Sequence, residues 1–454
     1  VIARLRKFLS DLGDVFWLLP GAMVLIGIFG ALGMLAIDRS GIIPPVLLKQ
    51  HWLYNGGGTG ARTLLGAVAS STIGVAGTVF SITIAALTLA AGQMGPRLLR
   101  NFTRDRGNQF TLGVFLGTFS YALMVLRSVR DQDSMTFVPN LSLSVSIALA
   151  FLCVATLVYF VGHMAGRINV STVIELVSID VRSSIDRLTT DTAQPTAPPD
   201  SFWRDATPLL DSRHGYLQHL DTDGLADWAS RHNTAIRMLV RPGDFIFPGA
   251  PIAFMQPAVA DGEAAVRDAT ALGSSRISTE DFEYAIRQLV EIAVRALSPG
   301  INDPHTAMSV LDRLGLALSE VAPVFMPTGV WLREGRVALV IPGFNYDGLC
   351  DAIFHMIRQN ASSSTAVLVH MLEVLTAVVS IEHDAVRTKA LQRHADLVIE
   401  DAERNIRNRS DLEDLRRRHR AFCLMRSEGP LACIGALAQQ GPKAAADLQE
   451  PGSR

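Results

Sequence analysis

Cysteine is scarce in this chain of 454 residues, and its four copies stand far apart at Cys153, Cys350, Cys423 and Cys433. No C-x-x-C pair occurs, which removes the usual zinc-ribbon and dithiol redox motifs and leaves reduced thiols as the expected state. Catalytic signatures are missing too. There is no P-loop, no G-x-S-x-G and no H-E-x-x-H, and "GGGTGAR" from Gly56 lacks the flanking strand and helix that a phosphate cradle requires. The eleven histidines show no sequence spacing that announces a metal site. No enzymatic activity, cofactor, metal or nucleic-acid partner is therefore expected.

Charge is absent from long stretches of the first 166 residues, although the whole chain carries 41 Lys and Arg against 43 Asp and Glu. Val15 to Ile37 holds no ionisable residue, and as a helix it is about 35 Å long, enough to cross a hydrocarbon core of roughly 30 Å. Arg4, Arg6 and Lys7 precede it, as in a signal peptide, but the run exceeds the usual apolar region of such a peptide and no clear small-residue cleavage site follows. Thr63 to Gly92 is likewise uncharged, and further apolar runs cover Phe110 to Leu126 and Leu141 to Ala165. The sequence thus predicts a transmembrane domain over residues 1–166, with four helices at about 15–37, 63–92, 110–129 and 141–165. A membrane-exit helix and Pro-rich linker (167–200), a β-rich subdomain (201–260), an α/β subdomain (261–438) and a loose tail (439–454) follow.

Lys and Arg crowd the segments before the first helix and between the second and third, where Arg97, Arg100, Arg104 and Arg106 lie close together. The positive-inside rule then puts the N-terminus and everything after Gly166 in the cytoplasm of a bacterial plasma membrane.

Several stretches together identify a family. "SSTIGVAGTVFSITIAALTLAAGQMGPRLLRNF", "LGVFLGTFSYAL", "RPGDFIFPGAPIA" and "ALSPGINDPHTA" resemble the bacterial membrane proteins grouped as domain of unknown function 2254. The resemblance runs from the first helix to about Arg426 and implies an architecture without implying an activity.

The second helix carries the most informative membrane pattern. Ser70, Gly74, Gly77, Ser81 and Thr88 recur, with Ala85 and Gly92, at steps of three or four and so form one small or hydroxyl-bearing stripe. Close helix packing explains such a stripe. So does a polar path, because hydroxyls replace part of an ion's hydration without burying a charge. The absence of Asp, Glu, Lys and Arg between Thr63 and Gly92 argues against a proton relay or an ion-coupled carrier. Arg97, Arg100 and Arg104 either set topology against anionic headgroups or ring a pore mouth that favours anions.

Beyond the membrane, "RPGDFIFPGAPIAFM" from Arg241 resembles half of a lipoyl-like barrel sandwich, but its turns carry no lysine, so a small barrel-like structural piece is expected. In "RALSPGINDPHTAMSVLDRL", Pro299-Gly300 makes a turn, Asn302 or Asp303 occupies an N-cap and Pro304 the first helical position. Ser298, Asn302, Asp303, His305 and Thr306 are candidates for a ligand site there, against the alternative of a plain helix junction. "GVWLREGRVALVIPGF" reads as a hairpin turning near Glu334-Gly335. The run from Thr365 is apolar but contains His370 and Glu373, which fits a buried helix or subunit interface better than a fifth span.

The sequence therefore predicts a four-helix integral membrane module joined to a mixed α/β cytoplasmic domain. Its expected partners are the lipid bilayer, further copies of itself and small ions. An oligomeric ion channel and a membrane-anchored sensor or scaffold are the two functional expectations.

Overall fold

The computed structural model describes residues 16–40, 57–94, 105–132, 135–167, 169–190, 195–274, 276, 282–343 and 345–432. The chain divides into two compact units that meet in sequence between Thr172 and Val173.

Among the described residues, the first unit contains four helices long and apolar enough to cross a membrane. They are α1 (Leu18–Ser40), α2 (Gly58–Met94), α3 (Arg106–Ser128) and α4 (Asn140–Arg167), with a short antiparallel pair, β1 (Arg130–Gln132) and β2 (Met135–Phe137), before α4. Helix α2 starts ahead of the charge-free run, because Arg62 lies within its first turns and donates to the Val129 carbonyl at the end of α3. Helix α3 is the enclosed member and buries Leu112, Val114, Phe115, Tyr121, Ala122 and Val125. The other three expose large apolar side chains, among them Ile26 and Phe29, Ile82 and Ile84, and Phe151 and Val158. Such faces fit a hydrocarbon solvent or the apolar face of another membrane helix.

Close packing in this unit is concentrated between α1 and α3. A Cβ built on Gly27 would lie 2.3 Å from the Gly117 carbonyl oxygen, and one on Gly117 would lie 2.9 Å from the Met23 carbonyl oxygen. Glycine at both positions lets the two backbones touch, the usual device where lipid supplies no hydrophobic drive between helices.

The second unit contains most of the charged residues and begins within α5 (Val170–Leu188). Arg182 pairs with Glu320 at 2.7 Å and Glu175 with Arg313 at 2.6 Å, so α5 is tied to α9, which runs from Pro304 to Val321. Next come β3 (Thr207–Leu210), β4 (Gly215–Leu220), α6 (Thr222–Arg231), β5 (Ala235–Met238), β6 (Phe245–Ile246), β7 (Pro251–Gln256), α7 (Gly262–Ala269) and β8 (Thr270–Gly273). Further on, β9 (Val330–Arg333) and β10 (Arg336–Val340) form the expected hairpin. Both of its turn residues have positive φ, 51° at Glu334 and 74° at Gly335, as the type I′ geometry demands.

The barrel-like piece expected over 201–260 is not what forms. A five-stranded sheet runs β3-β7-β5-β10-β9 and a three-stranded one β6-β4-β8, and among the described residues neither closes. The reason is that β10, far along the chain, pairs in parallel with β5 and occupies the edge a barrel would need. The β region thus takes in three strands, β8, β9 and β10, from beyond its expected boundary. Leu225, Ala226 and Ala229 of α6 and Val266 and Ala269 of α7 share one apolar core with Ile236, Met238, Ile252, Met255 and Leu339 of the larger sheet.

The rest is helical: α8 (Phe282–Ala296), α9, α10 (Tyr346–Asn360), α11 (Thr365–Val379), α12 (Ala385–Asn405) and α13 (Arg409–Glu428). Helix α11 is the central one. It packs against α9, α12 and α13 and buries Val367, Leu368, Met371, Leu372, Leu375 and Val378. Its apolar face is therefore covered within the chain and does not itself call for a second subunit. His370 Nε2 lies 2.7 Å from Asp312 Oδ1, and Glu373 pairs with Arg418 at 2.7 Å, so the polar residues that argued against a fifth span have polar partners at the rim.

Candidate functional site

The stripe on α2 faces away from the chain's own bundle. Ala61, Leu65, Ala69, Thr72, Ala76, Val79, Thr83 and Ala86 form its buried side, whereas Ser70, Gly74, Gly77, Ser81 and Thr88 are all exposed. A Cβ on Gly74 or Gly77 would meet nothing within 4 Å. The stripe is thus no seam between helices of one subunit, in contrast to the Gly27–Gly117 contact. Its hydroxyls are turned back on their own helix: Ser70 donates to the Ala67 carbonyl, Ser81 to Gly77 at 2.9 Å and Thr88 to Ile84 at 3.0 Å. Such bonds satisfy the proton in an apolar medium and leave oxygen lone pairs facing outward.

Arg97, Arg100 and Arg104 lie outside the described residues. Directly after them, Asp105 caps α3 by accepting from the Gly107 amide at 2.9 Å, and it pairs with His163 of α4 at 2.7 Å. Tyr159 stacks on that imidazole with ring centroids 5.4 Å apart. A Cβ at Gly107 would come 2.7 Å from His163 Nε2, so glycine admits the ring.

The stretch around Ser298 is a helix junction. Asp303 is the N-cap of α9: its Oδ1 accepts from the Thr306 amide at 3.1 Å and its Oδ2 from the Thr306 hydroxyl at 2.6 Å. That hydroxyl bond first, followed by backbone bonds from Thr306 and His305, outweighs partial burial and holds the Asp303 carboxyl below the ordinary carboxylate range. Ser298 Oγ donates to the Arg295 carbonyl, closing the end of α8, and Asn302 takes the left-handed turn position at φ 51°. Asn302 and His305 are exposed. The five candidates are neighbours, yet their geometry is that of a cap and a turn.

A grouping that sequence spacing did not announce lies on α10 and α12. Asp351, His355 and His394 bring one potential ligand atom each to within 4.8 Å of one another. Asp351 and His355 are four residues apart and share a face of α10, a hint visible in the sequence; His394 comes from another helix, so the third member is a product of the fold.

Four membrane-length helices and a separate mixed α/β unit define a multi-span membrane protein with a second unit that contains most of the charged residues. The chain matches the family described as "Predicted membrane protein (DUF2254)" over residues 14–377, and it belongs to that family. It is similar to an uncharacterised protein of Mycobacterium tuberculosis strain H37Rv, 30% identical over 430 residues that cover 90% of this chain and 80% of the relative. An uncharacterised protein of Mycobacterium bovis is similar to the same extent. No solved structure matches the chain.

Proposed function

We propose that the protein is a homo-oligomeric channel for small ions in the bacterial plasma membrane. The α2 helices of several subunits surround a shared path, and the unit after Val173 forms a cytoplasmic vestibule or gate. One observation carries this reading: the stripe of Ser70, Gly74, Gly77, Ser81 and Thr88 is turned away from its own bundle. A lipid-facing surface gains nothing from glycine and hydroxyl side chains, whereas a path shared between subunits gains width and oxygen atoms. The path lies between subunits because the core of one bundle is filled by α3. Orientation follows from the arginine-rich segment between α2 and α3, with the N-terminus also in the cytoplasm. Arg97, Arg100 and Arg104 at the mouth favour anions, while outward lone pairs on Ser81 and Thr88 favour cations. The arginines decide if access limits conduction.

A second reading, a membrane-anchored sensor or scaffold whose extramembrane unit binds a ligand or protein, is favoured by the back-bonded hydroxyls, since that is also how hydroxyls behave on a plain packing face. Flux separates the two. Protein reconstituted in liposomes is expected to pass chloride or potassium faster than empty liposomes, with and without osmotic tension. Leakage at the empty-liposome level for both ions and under tension would overturn the channel and leave the anchored binding protein.

A further inference from the structure

We infer that Asp351, His355 and His394 form a binding site for one divalent transition-metal ion of the zinc class, linking α10 to α12. The inference stands apart from the channel reading, since it concerns a different unit and a different ligand. Asp351 Oδ1 lies 3.0 Å from His355 Nε2 and 3.1 Å from His394 Nε2. Ligand atoms held at about 2.0–2.1 Å from one ion in tetrahedral geometry are themselves about 3.3 Å apart, so small rotations bring all three onto a common centre. Two imidazoles and one carboxylate on a packed helix pair are the donor set of an open zinc site, which leaves a position for water or a further ligand.

The surroundings supply both rigidity and access. His394 is 0% exposed and packs beside Phe354, while the His355 and Asp351 side chains are 35% and 36% exposed. The Nδ1 atoms of His355 and His394 are both buried and have no hydrogen-bond partner. Coordination takes the Nε2 atoms that already face Asp351 and leaves the ring proton on each Nδ1 without an acceptor, so the ion's bonds have to offset that desolvation cost. A surface cavity of about 630 Å³, lined by Asp347, Lys389, Arg393 and Asp396 among others, adjoins the group through Arg393 and gives solvent a way in.

The cation now beside the group is Arg393, whose terminal nitrogen lies 2.5 Å from Asp351 Oδ1 and 3.4 Å from His394 Nε2. The same nitrogen also donates to Asp347 at 2.8 Å, and its Nε does so at 3.2 Å. Arg393 therefore has a second carboxylate to hold when an ion displaces it from Asp351.

The test uses the full-length, tag-free protein in detergent, stripped with a chelator and titrated with zinc and with cobalt(II). Calorimetry and elemental analysis are expected to give one ion per chain, and cobalt to give the absorption bands of a tetrahedral nitrogen and oxygen site. His355→Ala lies at the exposed rim, so the chain is expected to fold, with affinity falling at least 100-fold; Asp351→Asn is expected to behave alike. Arg393→Gln removes the competing cation and is expected to tighten binding roughly tenfold. A merely structural cluster predicts no ion in any variant. Absence of a stoichiometric ion, or binding unchanged in both His355→Ala and Asp351→Asn, overturns the site.

Discussion

Asp38, in the last turn of α1, is the N-terminal cap of α4, more than a hundred residues away. Its carboxylate accepts from the Leu141 amide at 3.1 Å, from the Ser142 amide at 3.0 Å and from the Ser142 hydroxyl at 2.6 Å. Tyr121 of α3 donates to the carbonyl of the same Ser142 at 3.1 Å. The first amides of a helix have no partner of their own, and here a neighbouring helix satisfies them, locking α1, α3 and α4 in register.

Replacing Asp38 with Ala leaves those amides uncapped. The expected loss is about 1–2 kcal/mol, and Asp38→Asn, which keeps an acceptor oxygen, is expected to recover more than half of it. Unfolding in mixed micelles followed by near-ultraviolet dichroism measures both; equal stability of the Ala variant and the parent would contradict the cap.

Two glycines in different helices should respond in opposite ways. Gly27→Ala puts a carbon against the Gly117 backbone, where overpacking costs about 1–3 kcal/mol. Gly74→Ala enters open space and is expected to leave the stability of a single subunit unchanged. The same unfolding experiment at high detergent dilution checks the pair.

Ser81→Leu and Thr88→Leu report on the stripe. Neither residue faces the chain's own core, so both variants are expected to fold. If the stripe lines a path, flux falls while oligomer mass in nanodiscs stays the same; if the stripe is an intersubunit seam, mass changes first, since the added carbons have no room. Replacing Arg97 and Arg100 with Glu is expected to shift preference from anions toward cations. Reversal potentials across a salt gradient read that shift, and an unchanged potential would remove the arginines from the mouth.

Asp303 makes a prediction for pH. Its carboxyl is held below the ordinary value, so the folded state binds its proton less readily than the unfolded state. The stabilisation is therefore complete above the unfolded value near 3.8 and is lost as pH falls below it through the folded value. At neutral pH Asp303→Ala is expected to cost about 1 kcal/mol, and the gap between parent and variant should close as the pH falls below that point. Melting curves of the two proteins at several pH values give the comparison; a gap that stays constant into acid would show that the charged carboxylate is not what caps α9.

Much of the architecture was legible from local patterns. Charge-free length alone marks the four membrane helices, since the cost of burying an ion in hydrocarbon excludes charge wherever the chain crosses. Asp303-Pro304 marks the start of α9 and Glu334-Gly335 the turn between β9 and β10, because caps and tight turns are built from residues adjacent in sequence. His370 and Glu373 likewise separate α11 from the membrane helices.

The remainder depended on where distant segments return. Periodicity in α2 shows that Ser70, Gly74, Gly77, Ser81 and Thr88 share a face, but only packing against Ala69, Ala76 and Val79 of the opposite face decides that the stripe looks outward. The expected barrel gave way to an open sheet when β10 paired with β5. Ser142 and Asp38, or His394 and Asp351, carry no mark of one another in the sequence. Hydrogen bonds and ion pairs form between atoms a few ångströms apart whatever the number of residues between them, so these partnerships were fixed by the tertiary structure alone.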